Sequence, residues 1–191
     1  MPLRRLDAES LYDTMLLVAG RLDETRFGPP DAVETRTDGL VTPAASANGW
    51  RRSIYVEQRR KQIPTLLENF DLPQMNPNCM ERRDSNVAPQ ALHLLNNVMV
   101  HKLAERFAER VQQQAGTDPA KQIEWVYLIA LNRPPSSDEK ELGLATLVEL
   151  TDHWARHLAA TGHSDQTDAS MHALANFCHT IMNSAEFLYI D

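Results

Sequence analysis

The sequence predicts a mainly α-helical protein of about five or six helices, with a small antiparallel β-hairpin or sheet near residues 33–57. Two observations lead to this fold class. Apolar residues recur at helical spacing over most of the chain, and several of these runs lie between a capping residue and a glycine or proline. Between 33 and 57 the pattern changes to short alternating runs around an Asp-Gly dipeptide, which suits a tight turn.

The first third of the chain contains the predicted strands. A helix is expected over 7–19, with Leu11 and Met15 on its apolar face. Residues 33–37 and 40–42 form the two arms of the hairpin around Asp-Gly. The run 51–57 is the best single strand candidate, because its apolar and polar side chains alternate.

The rest of the chain is predicted to be helical. A short helix is expected over Thr65–Phe70, and a long one is expected from Pro89 to about Gly116. The apolar stripe of the long helix comprises Leu92, Leu95, Met99, Leu103, Phe107 and Val111. Three further helices are expected over 119–131, from Ser136 to about Ala159, and over 168–186.

Length and charge limit the class of protein. The chain has 191 residues, which predicts a single mainly helical domain over 1–191. The net charge of −7 disfavours binding to nucleic acids or to anionic membranes. No apolar run reaches the roughly 20 residues of a membrane span, and the first residues lack the apolar core of a signal peptide.

A polar junction is predicted where the irregular segment after Asp71 meets the long helix. Residues 51–83 contain seven basic residues against four acidic ones. Arginine forks match the geometry of carboxylate, sulfate or phosphate, and a helix N-terminus favours anions. Alternatively, these arginines pair with nearby carboxylates and fasten the loop to the helices. The candidate residues for a polar junction or an anion site are Arg52, Arg60, Arg82, Arg83, Gln90, Asn96 and Asn97. We expect Arg82 or Arg83 to be partly buried and bonded to a carboxylate or a carbonyl near Asn96.

Catalytic and metal motifs are weak in this sequence. Cys79 and His93 are the best nucleophile–base pair, which would need the neighbouring arginines to lower the thiol pKa. His153 and His157 have the spacing of metal ligands but lack the glutamate of the H-E-x-x-H motif. Cys178 is expected to be a free thiol in a helix core. We therefore assign no catalytic residue, no metal ligand and no cofactor, and whether the protein is an enzyme stays open.

Five blocks of sequence carry a resemblance to a known family. They are RRLDAESLYD (4–13), RRSIYV (51–56), the block 69–97, IALNRPPSSDE (129–139) and NFCHTIMNSAEFLYID (176–191). With these blocks in this order, the chain resembles the C-terminal part of Domain of Unknown Function 1553, a planctomycete domain often found beside cytochrome c-like modules. The resemblance implies a larger, exported (periplasmic or extracellular) parent protein with no established activity. The haem motif C-x-x-C-H is lacking, so haem is not implied.

Three functions are compatible with these observations. The first is a non-catalytic structural or interaction module, whose partners are other domains of the parent protein. The second is a domain that binds a small anion or an acidic or sulfated glycan through the arginine cluster. The third is a thiol- or metal-dependent hydrolase.

Overall fold

The protein is mainly α-helical, as the sequence predicts. A computed structural model describes residues 4–59, 62–73, 85, 87–161 and 166–190. In that part of the chain there are 8 helices, more than the five or six expected. They are α1 (Ala8–Val18), α2 (Thr65–Asn69), α3 (Ala88–Asn96), α4 (Val98–Ala115), α5 (Pro119–Leu131), α6 (Ser137–Ala160), α7 (Gln166–Met182) and α8 (Ala185–Leu188). None of them combines the length and the apolarity that a membrane span requires.

The strands are short and form three separate pairs. They are β1 (Arg4–Arg5), β2 (Leu22–Asp23), β3 (Val33–Thr35), β4 (Val41–Pro43), β5 (Trp50–Arg51) and β6 (Tyr189–Ile190). β3 and β4 form the predicted antiparallel hairpin. β2 pairs in parallel with β5, and β1 pairs antiparallel with β6. The last pair joins the two ends of the described chain.

The strand predicted over 51–57 is wrong. Arg51 belongs to β5, Ser53–Tyr55 then form a single turn of 3₁₀ helix, and Val56 is extended again and bridges to Asp31, so the segment is not one continuous strand. The cause is a carboxylate on α1, because Asp13 Oδ1 accepts a hydrogen bond from the Ser53 backbone N–H at 2.7 Å. A backbone N–H committed to a side chain is lost to a strand ladder. The turn leaves Ile54 79% exposed, which alternation alone would not predict.

The core is centred on α4, which packs against α1, α5 and α7. α7 makes its most extensive contacts with α4 and α6, and α2 packs against α1. The predicted helix faces are mostly correct. The fully buried side chains include Leu11, Met15, Leu16, Phe107, Val111, Ile123, Leu174 and Met182. The capping box at Ser136 and Glu139 begins α6 as expected. The helix predicted over 168–186 ends at Met182, and the short α8 follows it.

The long helix predicted from Pro89 to Gly116 is broken at Asn97. This residue has an extended backbone, with φ −75° and ψ 121°, so α3 ends before it and α4 begins after it. The Asn97 Oδ1 accepts hydrogen bonds from the N–H groups of Met99 and Val100, at 2.7 and 3.3 Å. Asparagine is among the best N-cap residues because its side chain replaces the missing carbonyl acceptor. The break also rotates α3, so that Leu94 is buried while Leu92 and Leu95 are exposed.

Removing the Asn97 side chain should destabilise the protein by about 1–2 kcal/mol, because the α4 cap is lost. Asn97 is only 4% exposed. In the alanine variant, water therefore cannot take the place of the lost amide unless the surrounding side chains move. The neighbouring Asn96 is the matched control, since it is exposed and its amide bonds, among the described residues, to the Leu92 carbonyl of its own helix. We expect Asn96→Ala to change stability by less than about 0.5 kcal/mol. Urea unfolding of both variants measures the difference, and equal effects would contradict the capping role.

Candidate functional site

A partly buried polar cluster is centred on the Asp71 carboxylate. Asp71 follows α2 in the left-handed backbone conformation, with φ 65°, which aspartate tolerates better than most residues. Its carboxylate accepts hydrogen bonds from Arg5 Nη2, from the Ser85 N–H and from the Ser85 hydroxyl, each at 2.8 Å. We call Arg5, Asp71, Ser85 and Gln90 the Asp71 junction. It joins β1, the end of α2 and the beginning of α3.

Arg5 contributes a buried positive charge to this junction. Its side chain is 6% exposed, and Nη2 also donates to the Phe70 carbonyl at 3.1 Å. The guanidinium carbon lies 5.0 Å from the centroid of the Phe70 ring, within the range of a cation–π contact. Nε and Nη1 are buried and have no hydrogen-bond partner among the residues that the structure describes. Asp71 is therefore the carboxylate that compensates this charge.

Gln90 ties α3 to the same carboxylate. It lies in the first turn of the helix and is 4% exposed. Its Nε2 donates to the Asn69 carbonyl at 2.9 Å and to the Ser85 hydroxyl oxygen at 3.1 Å, and it lies 3.4 Å from Asp71 Oδ2. Its Oε1 accepts from the Val87 N–H at 3.3 Å, which caps the helix. The amide is thus used fully in holding α2 and α3 together.

The junction favours the ionised form of Asp71. Partial burial tends to raise the pKa of the carboxyl group, but the hydrogen bonds from Ser85 and the Arg5 guanidinium outweigh it and lower that pKa. The ionised carboxylate can only accept hydrogen bonds, which matches the three donors around it. A carboxylate held in this way is a poor general base, because a low pKa weakens its affinity for a proton.

A second arginine cluster fastens the loop between β2 and β3. Arg51 Nε and Nη2 donate to Asp31 Oδ1, at 2.9 and 2.6 Å, while Nη1 donates to the Phe27 carbonyl and Nη2 to the Pro29 carbonyl. The guanidinium also lies over the Tyr55 ring, 4.7 Å from its centroid. Asp31 raises the pKa of Arg51 through this hydrogen bond. Arg51 is therefore occupied within the protein and presents no free fork to a ligand.

Histidines surround the C-terminal end of α3. His179 Nε2, on α7, donates to the Leu94 carbonyl at 3.0 Å. His101 Nε2, on α4, donates to the Leu95 carbonyl at 2.8 Å, and its ring packs against His179 with centroids 4.3 Å apart and the ring planes tilted by 32°. The break at Asn97 leaves the last α3 carbonyls without helical partners, and these two histidines satisfy them. Burial lowers the pKa of His179, and the proximity of His101 adds to this effect.

His93 also forms a hydrogen bond at this break. The Asn97 amide Nδ2 donates to His93 Nε2 at 2.8 Å, so this ring nitrogen carries no proton. Burial lowers the pKa of His93, which favours the same neutral form. His93 therefore supports the α3–α4 break through Asn97.

Comparison with known proteins identifies a family for this chain. A family model described as PSD1, a protein of unknown function (DUF1553), matches residues 1–147. The chain belongs to this family. No curated protein and no solved structure matches it.

The DUF1553 match ends within α6, but the packing continues beyond it. α7 contributes Leu174, Cys178 and Met182 to the core, and β6 pairs with the β1 strand that carries Arg5. His179 holds the end of α3. The residues after the match are therefore part of the same packed core.

The predicted site residues of this DUF1553 chain lie in different places. Gln90 belongs to the Asp71 junction, whereas Asn97 lies at the other end of α3 and Asn96 is exposed. Arg52 is exposed and bonds to Asp13 on α1, at 2.7 Å. The other predicted arginines, Arg60, Arg82 and Arg83, lie outside the described residues, as does Cys79.

Arg5 and Ser85 were not predicted to belong to the site. The sequence suggests Asp71 only as a partner for the arginines of its own region. Its partner is Arg5, which lies 66 positions away in sequence. The signal in the sequence was the Arg4–Arg5 pair beside an apolar helix, but spacing alone cannot assign a partner at this separation.

The remaining chemical candidates of the DUF1553 chain are separate from this junction. Cys178 is fully buried, and burial raises the pKa of its thiol well above its ordinary value, which makes it unreactive. His153 and His157 are exposed on α6. A cavity of about 260 Å³ lies between α4, α5, α6 and α7, and Asp152 is the charged side chain among its described lining residues. Those lining residues include no histidine and no cysteine.

Proposed function

We propose that the chain is a non-catalytic structural or interaction module of a larger exported protein. The observation that carries this proposal is the internal use of the Asp71 junction. Its carboxylate, hydroxyl and amide are bonded to each other and to the ends of α2 and α3, so their role is to join elements. A catalytic site would keep such groups directed at a substrate.

The histidines support the same proposal. His93, His101 and His179 each use Nε2 in a hydrogen bond at the α3–α4 break. The pKa values of His93 and His179 are lowered by burial, so neither is a ready proton donor at neutral pH. His101 and His179 bond to backbone carbonyls of α3, and His93 bonds to the Asn97 side chain, so all three have a structural role at the break.

The larger parent protein and the exported location are proposed from the resemblance to planctomycete DUF1553 proteins. The partners would then be other domains of that parent. A net charge of −7 supports protein partners over nucleic acids, because polyanions are repelled by an acidic chain.

Binding of a small anion or of an acidic or sulfated glycan is the second candidate. One observation favours it: the side chains of Arg52 and Arg59 are 62% and 66% exposed. Both are already paired with carboxylates, Arg52 with Asp13 and Arg59 with Glu57. An anion would have to compete with these partners, so we expect weak binding.

Calorimetric titration with sulfate and with a heparin-derived oligosaccharide distinguishes the structural module from the anion- or glycan-binding domain. The titration is done at about 0.15 M salt, where surface charges are already screened beyond about 8 Å. We expect no binding tighter than about 1 mM. A dissociation constant in the micromolar range would favour the glycan-binding function if Arg52→Ala abolished it. The matched control is Arg106→Ala, which removes a similarly exposed arginine from a surface ion pair on α4.

A further inference from the structure

Both polar atoms of the Asn97 side chain are used at the α3–α4 break. Oδ1 accepts hydrogen bonds from the backbone N–H groups of Met99 and Val100, and Nδ2 lies 2.8 Å from His93 Nε2. Because a backbone N–H can only donate, the oxygen must face α4 and the amide nitrogen must face the histidine. The orientation of the Asn97 amide is therefore fixed by its role as the cap of α4.

This orientation determines which nitrogen of His93 carries the proton. The Asn97 amide nitrogen can only donate, so His93 Nε2 is the acceptor and the ring proton lies on Nδ1. His101 and His179 have the opposite tautomer, because Nε2 of each donates to a carbonyl oxygen of α3. Protonation leaves the hydrogen bonds of His101 and His179 in place. In His93, however, the added proton goes to the atom that accepts from Asn97, so this hydrogen bond is lost.

We propose that the α3–α4 break is a pH-sensitive hinge, in which protonation of His93 removes the Asn97 cap from α4. A protonated His93 presents an N–H to the Asn97 amide N–H, and two donors cannot bond to each other. Rotation of the amide by 180° brings Oδ1 to His93, which supplies the acceptor that a partly buried cation requires. The same rotation leaves the N–H groups of Met99 and Val100 without their acceptor. A single oxygen cannot serve both, so protonation of His93 and capping of α4 exclude each other.

The titratable groups at this hinge come from three helices. His93 lies on α3, His101 on α4 and His179 on α7, and the ring centroids of the last two are 4.3 Å apart. Among the described residues, burial alone lowers the pKa of His93, whereas the proximity of His101 adds to the lowered pKa of His179. α7 contains no Asp, Glu, Lys or Arg after Asp168. The charged side chains of α2 and of the first two turns of α4 are exposed; they are Glu68, Lys102 and Glu105.

The hinge should open as the pH falls below about 6.5, the ordinary pKa of histidine. Because burial lowers the pKa of His93, the folded state binds this proton more weakly than the unfolded state does. The neutral ring therefore stabilises the break fully above about 6.5, and this contribution is lost as the pH falls through the lower, folded value. The pKa of Asp71 is lowered from an ordinary value of about 4, so the Asp71 junction still holds the other end of α3.

Nitrogen-15 spectra of the histidine rings test the hinge in the wild-type protein. At neutral pH we expect the ring proton of His93 on Nδ1 and those of His101 and His179 on Nε2. As the pH is lowered, the Nε2 signal of His93 should change together with the side-chain amide signals of Asn97. A neutral His93 that carried its proton on Nε2 would overturn the proposal, because it could not accept from Asn97.

Amide hydrogen exchange measures the loss of the cap. Protection factors, which correct for the intrinsic effect of pH on exchange, are compared between about pH 7 and about pH 5. We expect the protection of Met99 and Val100 to fall by about tenfold, as loss of an N-cap implies. Phe107, in the middle of α4, should keep its protection. An unchanged protection of Met99 and Val100 would overturn the hinge, and so would an equal loss at Phe107, which indicates general acid unfolding.

His93→Gln separates this histidine from other effects of acid. Glutamine can place an oxygen near the position of His93 Nε2, so it can accept from Asn97 without titrating. The cap should then be retained, and the pH response of the Met99 and Val100 amides should disappear. His153→Gln is the matched control, because this histidine is exposed on α6 and its loss should leave the response unchanged.

His179→Gln tests whether the response belongs to His93. This variant keeps a donor for the Leu94 carbonyl, so the pH response of the capped amides should remain. A response that persisted in His93→Gln, or that disappeared in His179→Gln, would overturn the role of His93. Should His93→Gln fail to fold, the ring spectra and the exchange of the wild-type protein still decide. The hinge does not depend on the module role, which the anion titration tests separately.

Discussion

Replacing Asp71 with asparagine should lower the free energy of unfolding by about 3 kcal/mol, because it leaves the buried Arg5 guanidinium without its carboxylate. Asparagine tolerates the left-handed backbone at this position, so the substitution changes the charge without straining the chain. Among the described residues, the Phe70 carbonyl and ring also contact the Arg5 guanidinium, but neither carries a negative charge. In thermal unfolding, the melting temperature should fall by about 10 °C.

The stability lost in Asp71→Asn should decrease as the pH is lowered. The pKa of Asp71 is lowered in the folded protein, so its carboxylate stabilises the fold fully above its unfolded pKa of about 4. That contribution is lost as the pH falls through the lower, folded value. The asparagine variant does not titrate here, so the stability difference between wild type and variant should shrink in acid.

A surface ion pair supplies the control for Asp71→Asn. Glu109 pairs with Arg106 on α4, and both side chains are about half exposed. Glu109→Gln should cost less than about 1 kcal/mol, since water solvates the stranded arginine. If Asp71→Asn were no more damaging than Glu109→Gln, the Asp71 junction would not be a structural element.

Deleting the chain after α6 should abolish cooperative folding. A fragment of residues 1–160 keeps α6 whole and retains the region that matches the family model, but it lacks α7. Leu174, Cys178 and Met182 are buried in the common core, and truncating one large buried side chain already costs about 2–5 kcal/mol. Removing the whole helix that carries them costs at least as much as the roughly 5–15 kcal/mol that stabilises a typical domain.

Thermal melting followed by circular dichroism, and the dispersion of amide proton shifts in nuclear magnetic resonance spectra, show whether the 1–160 fragment folds cooperatively. A chain shortened only to residue 188 is the control, because it loses β6 but keeps α7. We expect it to unfold cooperatively at a lower temperature. A 1–160 fragment that melted cooperatively would show that the family match alone forms a domain, and it would contradict our proposal of a single domain over 1–191.

The site was harder to predict than the helices. The sequence predicts Gln90 as a junction residue, but no local pattern links it to its partners Asp71 and Ser85 or to Arg5. Long-range hydrogen bonds leave no periodic trace in sequence, because they depend on how separate elements pack. The error at 51–57 has the same origin, since Asp13 on α1 turns that segment away from a strand.

The amino-acid sequence predicts the mainly helical class, the hairpin at Asp-Gly, the capping box that begins α6 and most of the buried helix faces. These features depend on neighbours within one or two turns, so local spacing and capping chemistry are sufficient to predict them. The position of the break in the long helix and the covered side of α3 depend instead on how the helices pack together. Asn97 could continue or end a helix, and the choice depends on His93, Leu94 and the α7 residue His179 packing around it. Leu92 and Leu95 consequently lie on the surface, because burial is a property of the assembled helices and not of one helix alone.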